Sequence, residues 1–186
     1  SDQLDSDVFK VTGTSDGDGT FGGLHNTGDF TRGFDDDGAT TGGVYAFGTG
    51  GGNTILGVQP SGSDLTPGTI MVQLLNDTGQ LIESADVMYD IFYLNNEERG
   101  NTLNFEFSTD GVNFTAVSLL DFTTPEASDN LGWHSVNRMV TLTDLGLAPG
   151  QFLTLNFLTD DALGGGSRDE FGVDNIMVTV TDVVVP

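Results

Sequence analysis

Carboxylates come in short clusters beside glycine in this chain. Asp16-Gly17-Asp18-Gly19, Asp35-Asp36-Asp37-Gly38, and Asp160-Asp161 ahead of a glycine-rich run are three of them; Asp169-Glu170, with Gly172 and Asp174 just beyond, is the fourth. Glycine lets a backbone turn tightly, so carboxylates and carbonyls can converge on one ion, and an all-oxygen set suits a hard cation such as calcium. The candidate ligands are Asp16, Asp18, Asp35, Asp37, Asp160, Asp169, Glu170 and Asp174. The alternative for each cluster is a solvated turn or an exposed charge run. An EF-hand is excluded: with Asp16 and Asp18 as third and fifth loop residues, the twelfth is His25 rather than Glu. Asp174 is the most pointed case. It shares its alternation phase with Ile176, Val178 and Val180, which predicts that it faces the core. An inward carboxylate must be paired, hydrogen-bonded or metal-bound. Only five Lys and Arg residues are available to pair with it. The competing reading gives Asp174 backbone N–H donors from a neighbouring loop.

Other chemistries find little support. His25 and His134 stand alone, without the three or four ligands of a zinc site, and there is no cysteine to serve as thiolate, nucleophile or disulfide. No Ser-His-Asp order emerges, no carboxylate pair stands out as a glycosidase pair, and no glycine run sits in the strand–loop–helix context of a phosphate loop. A non-catalytic protein is expected. Trp133 could stack on a sugar ring but opens an apolar strand, so a core or sheet-edge place is its default, and Tyr45, Tyr89 and Tyr93 fall mostly in strand phase, where core packing is the default. Asn76-Asp77-Thr78 and Asn113-Phe114-Thr115 match the N-glycosylation sequon.

The formal charge of −23 argues against nucleic acid and anionic membrane surfaces as partners. It also makes the compact state repel itself, which bound divalent cations would relieve; adaptation to a saline habitat would produce the same acidity. No apolar run approaches the roughly 20 residues that span a bilayer, so no membrane insertion is expected. The chain starts without an initiator Met or a signal peptide, as a processed product or an excised domain would.

The elements that must position these residues read as strands. Val8–Val11, Val44–Phe47, Ile55-Leu56, Thr69–Leu75, Ala85–Tyr93, Thr102–Ser108, Val112–Val117, Trp133–Leu142, Gln151–Leu158 and the 168–180 segment are separated by turn residues. Ala85–Tyr93, apolar on both faces near its end, is predicted to be central. About nine or ten strands predict an all-β fold, a two-sheet antiparallel β-sandwich of jelly-roll type. The length suits a single domain over 1–186. Its acidic Gly/Asp-rich segment 1–43 is expected to pack on the sandwich or to be bound to it through ions, since thirty residues of plain loop are unusual in a compact domain.

A series of short motifs, in order, resembles a family of jelly-roll domains in secreted bacterial proteins. Members often sit beside lamin-tail-like or nuclease domains or before surface-sorting signals. The motifs are Gly42–Gly48, Leu56-Gly57, Ser61-Gly62-Ser63, Asn76–Gly79 with Ile82, Tyr93 with Arg99, Phe105–Gly111, Leu120–Thr123, Leu147–Gly150, Asp160-Asp161 and Gly172–Ile176. The chain departs from the family pattern where Glu98, rather than Trp, precedes Arg99, and where Asn156-Phe157 replaces an Arg-Trp pair. The resemblance implies a secreted, non-catalytic accessory domain and no particular ligand.

The functional expectation is therefore a calcium-stabilised sandwich at the cell surface, structural, adhesive or self-assembling. Val183–Val185 would be available to add a strand to a second copy. The alternative is a calcium-dependent carbohydrate-binding module with an extracellular glycan partner. Its signature would be a row of exposed aromatics on one sheet.

Overall fold

The structure, a computed structural model, describes residues 6–129 and 131–180. The first residues of the acidic leader and the Val183–Val185 segment lie outside the described residues.

Twelve strands and two short 3-10 turns form two six-stranded sheets. The first sheet has the order β1 (Phe9–Thr12), β5 (Gly68–Leu75), β11 (Phe152–Gly164), β7 (Arg99–Ser108) and β8 (Thr115–Ala116), with β9 (Phe122–Thr123) also on β7. The second has the order β10 (Trp133–Leu142), β6 (Ala85–Leu94), β12 (Glu170–Val180), β4 (Asn53–Gln59), β3 (Gly43–Gly50) and β2 (Phe34–Asp35). The sandwich is the expected all-β one, and β6 lies between β10 and β12 as its two apolar faces predict. Every pairing is antiparallel except β2 with β3, which is parallel.

Strand alternation builds the core. Val87, Tyr89 and Ile91 of β6 face Leu103 and Phe105 of β7 and Leu155 and Phe157 of β11, all nearly fully buried. Tyr89 meets Phe157 edge-on with ring centroids 4.9 Å apart, a favoured geometry for aromatic pairs. A smaller apolar cluster lies on the outer face of the second sheet, where Tyr45, Phe47 and Ile55 pack with Phe92 and Trp133 beneath Ala39. Trp133 is thus both packed and on an edge strand, its ring 5.3 Å from that of Phe47.

The acidic N-terminal segment is packed rather than loose. β1 pairs with β5 along its length. The loop after β1 is pinned by two buried carboxylates. Asp64 accepts from the Ser15 N–H (2.7 Å), and Asp29 accepts from the Ser15 hydroxyl (2.9 Å) and the Asp16 N–H (3.0 Å) while ion-paired to Arg32.

Three boundaries differ from the reading by periodicity. The strand returning from the Asp110 turn is only Thr115–Ala116, because the Asp110 carboxylate and the Ser108 hydroxyl take the N–H groups of residues 110–113 into a side-chain-capped turn. β11 runs on through Asp160 and Asp161 to Gly164, so the glycine-rich loop is shorter than Ala162–Ser167. The third is the phase of β12. Asp174 pairs with Asp90 but Met177 pairs with Met88, so one extra residue sits on β12. This is a β-bulge, with Asn175 at φ 52°. Phe171 and Val173 face the core before it, and Ile176, Val178 and Val180 pack on the core after it. Asp174 therefore faces outward with Asp90, correcting the inward orientation that simple alternation predicts.

Candidate metal centre

The predicted site residues fall into separate places. Asp16 and Asp18 are exposed and bonded to backbone amides, Asp16 to the Asp29 N–H (3.0 Å) and Asp18 to the Gly13 N–H (2.8 Å). Asp35 caps its own turn through the N–H groups of Asp37 and Gly38, and Asp37 is exposed. Asp160 is exposed and accepts from the Asp161 N–H (2.8 Å). Asp174 accepts from Asn53 Nδ2 (3.1 Å) on the outer sheet face. Among the described residues, no three His, Asp or Glu side chains converge as a metal cluster.

Asp169 and Glu170 differ from all of these. They are 0% and 1% exposed at the mouth of β12. Asp169 Oδ1 accepts from the Glu97 N–H (3.1 Å). Asp169 Oδ2 and Glu170 Oε2 are buried without a hydrogen-bond partner. Burial pushes the Asp169 carboxyl up to about 6, against the pull of the Thr124 hydroxyl and the Glu97 amide. Burial likewise pushes Glu170 up to about 7, against the pull of its own backbone amide and that of Ala39, with the charges of Asp169 and Glu97 adding to the rise. An isolated buried carboxylate is expensive, and two neighbours that both wish to ionise compound the cost.

Three strands and two loops place this pair. Glu170 sits across from Leu94 on β6. On its other side lies Gln59, one residue past the Phe171–Val58 register pair of β12 and β4. The β6–β7 loop, Asn95 to Glu98, crosses Asp169. Gly38, at φ +99°, lets the 36–42 loop close over the pair: a Cβ there would lie 2.9 Å from Asn96 Nδ2 and 3.1 Å from Glu170 Oε1. Gln59 Oε1, Asn95 Oδ1 and Asn96 Oδ1 are also buried and unpartnered. Orphaned buried acceptors are rare in folded proteins and call for an explanation.

No cationic side chain of the protein supplies it. Arg32 is paired with Asp29, and Arg99 and Arg168 with Asp161. Lys10 lies over Phe21 and Arg138 over Phe122. That accounts for all five. What remains is two buried carboxylates, with the orphaned amide oxygens of Gln59, Asn95 and Asn96 on the strand end and loop that flank them. That donor chemistry suits a hard cation and excludes a thiolate- or imidazole-preferring one. Asp169 and Glu170 were legible as a candidate pair. Gln59, Asn95 and Asn96 were not, since amides in loops and strand ends carry no periodic signal; their orphaned oxygens, which Asn101 and Asn156 share, and their place beside the pair bring them in.

The histidines are structural in place. His134 stacks on Tyr93 with centroids 5.0 Å apart and lies 3.0 Å from Asp129, and His25 bonds the backbone of Thr20. Of the two sequons, Asn76 is buried and donates to the carbonyls of Gln80 and Leu147. Asn113 is exposed.

The outer face of the first sheet offers a shallow groove of about 370 Å³. Thr12, Thr69, Thr102, Asn104, Leu158 and Asp160 line it, near the Pro67-Gly68 turn. Neutral hydroxyl and amide side chains dominate, and no aromatic side chain lines it.

No family model and no curated protein matches the chain. Solved structures share its architecture at low similarity. The K1 cleaved adhesin domain of Lys-gingipain from Porphyromonas gingivalis is 13% identical, with a TM-score of 0.45 over 72% of this chain and 79% of that one. The C-terminal family 22 carbohydrate-binding module of Clostridium thermocellum Xyn10B is 11% identical, with a TM-score of 0.44 over 80% and 86%. A family 61 module in complex with β-1,4-galactotriose is 12% identical, with a TM-score of 0.38 over 70% and 72%. These similarities assign no ligand. Among the described residues no helix is long and apolar enough to cross a membrane.

Proposed function

We propose that this protein is a non-catalytic, secreted β-sandwich of the cell surface, held in shape by calcium at Asp169 and Glu170 and acting as a structural or adhesive subunit. The observation that carries the reading is the buried carboxylate pair with no cationic side chain beside it. Asp169 and Glu170 would ligate the ion, with the amide oxygens of Gln59, Asn95 and Asn96 as the neighbouring acceptors. Calcium would supply the missing positive charge and tie β4, the β6–β7 loop and β12 together at one end of the sandwich. In a chain without disulfides such a tie does the work of a staple.

Self-association is the partner reading this face supports. β10 is ten residues long and among the described residues pairs only with β6, so its outer edge presents backbone donors and acceptors to a second strand. The groove on the first sheet favours a second reading, a calcium-dependent carbohydrate-binding module for extracellular glycan. In a strongly acidic chain its lining is largely uncharged, and hydroxyl and amide groups match sugar hydroxyls. The lack of a stacking aromatic there counts against tight binding.

The test is thermal unfolding in excess calcium and in chelator. A ligand present at a hundred times its dissociation constant stabilises the folded state by about 2.7 kcal/mol. At roughly 2–4 °C per kcal/mol for a chain of this size, the midpoint rises by several degrees. Coincident curves end the calcium reading. A glycan array and sedimentation at high concentration, both with calcium, then separate the two partner readings.

A further inference from the structure

The outer face of the second sheet carries a feature unrelated to the Asp169–Glu170 end. Met139 on β10 pairs directly with Met88 on β6, and Met88 pairs directly with Met177 on β12. Three thioether side chains thus stand in one lateral row across three strands. Directly opposite residues hold their Cβ atoms about 4.5–5.5 Å apart, so side chains as long as methionine can bring neighbouring sulfurs together. Met139 and Met177 are 65% and 54% exposed.

Packing does not account for this use of methionine. The protein has four Met residues, and none is among the buried core side chains, which are Val, Leu, Ile, Phe, Tyr and Ala. If the row were only an apolar patch, the residues that fill the core would serve as well. The bulge at Asn175 contributes directly, because the extra residue turns Met177 outward beside Met88. The flanking positions on β6 are Asp86 and Asp90. Their hydrogen bonds come from neutral donors: Thr141 Oγ1 to Asp86 (2.6 Å), and Asn137 Nδ2 and Asn175 Nδ2 to Asp90 (2.8 Å each). Their negative charge is left in place, and the potential over the row favours a cation.

Thioether sulfur is a soft ligand that selects Cu(I) over the hard ions taken by carboxylate oxygen. We infer that Met88, Met139 and Met177 form a surface site for a soft monovalent cation, Cu(I), distinct from the calcium site in place and in chemistry.

The experiment uses Ag(I), a soft ion that does not cycle its oxidation state, added to protein labelled with ¹³C in the methionine methyl groups and held in saturating calcium. The methyl resonances of Met88, Met139 and Met177 shift together and saturate at one silver ion per chain, while Met71, on the other sheet, stays in place. A variant with Met88→Leu, Met139→Leu and Met177→Leu keeps the apolar surface and its unfolding midpoint but loses the saturating transition, read by calorimetry. Two outcomes overturn the assignment: all four methionines shifting alike without saturation, or the leucine variant retaining the transition.

Discussion

Asp161 and Asp169 lie eight positions apart and are handled in opposite ways. Asp161 is gripped by two guanidinium groups: Arg168 reaches both its oxygens at 2.7 Å, and Arg99 reaches Oδ2 at 2.5 Å. Burial alone would raise its carboxyl, but the hydrogen bonds and charge of Arg168, with Arg99, hold it below the usual carboxylate range. Asp169 and its neighbour Glu170 are more deeply buried and have no cation at all, and both carboxyls are pushed up. A chain with five cationic residues has placed two on the half-buried carboxylate and none on the buried pair. The difference teaches that Asp161 is complete within the protein and that Asp169–Glu170 is not.

The largest expected effect breaks the complete side of this comparison. Asp161→Ala leaves Arg99 and Arg168 facing each other, partly buried and unpaired. Losing one partner of a fully buried pair costs about 3–5 kcal/mol; with Asp161 some 30% exposed, solvent screening reduces this to about 2 kcal/mol. The fall in midpoint, measured calorimetrically, is the same in calcium and in chelator. A loss seen only in calcium would mean that Asp161 belongs to the proposed metal site after all.

The incomplete side responds with the opposite sign. In chelator at pH 8, Glu170→Gln removes a buried charge and keeps the shape, so the variant unfolds about 1 kcal/mol less readily than the parent. In calcium the order reverses, because the variant has lost a ligand. A Glu170→Gln protein that is less stable in chelator would show that the charge is already satisfied.

The pH dependence sharpens the same contrast. Glu170 and Asp169 have folded values of about 7 and about 6, above the 4.5 and 3.8 ordinary for these side chains. Between those limits the folded state binds more protons than the unfolded one, so stability falls as pH rises through the folded values. Their contribution is fully present below the unfolded values and lost above pH 7. Metal-free protein therefore loses stability from pH 5 to pH 8. In calcium the carboxylates are wanted in their charged form, so the slope flattens or reverses, with protons released on binding below pH 7. Denaturant midpoints across this range in chelator and in calcium check it; a flat metal-free profile sinks the idea.

Much of this could be read before the structure. Alternation at Leu103, Phe105 and Val87, Tyr89, Ile91 gave strands and faces correctly, because period two is imposed by the backbone itself. The short β2 and β9 carry two residues each, too few for any period to show. Asp169 and Glu170 were two of eight candidate ligands, and nothing in the sequence separates them from Asp16, Asp18, Asp35 and Asp37. Burial makes that distinction, and burial depends on the 36–42 loop, through Gly38, closing over the pair from far along the chain. Asp174 is the instructive error. Apolar residues occupy positions 171 and 173 and then 176, 178 and 180, so the phase change was in the sequence. An Asn, which tolerates the left-handed region, stands at the change.

That bulge offers a third way of treating a carboxylate, and the smallest test. Asp90 is held neither by arginine nor left bare: Asn137 and Asn175 donate one amide to each of its oxygens, and Asp174 takes the amide of Asn53. Neutral donors stabilise the charge without cancelling it, which suffices where water is near. Asn175→Asp keeps a residue that tolerates φ 52° but sets a third carboxylate among these two. Surface like-charge pairs cost less than about 1 kcal/mol, and a Debye length falling from about 10 Å at 0.1 M to 3 Å at 1 M screens them. Asn175→Asp should thus lower the urea midpoint slightly at low salt and match the parent at 1 M sodium chloride. A deficit that ignores salt would place the cost in the lost Asn175–Asp90 hydrogen bond or in the bulge backbone.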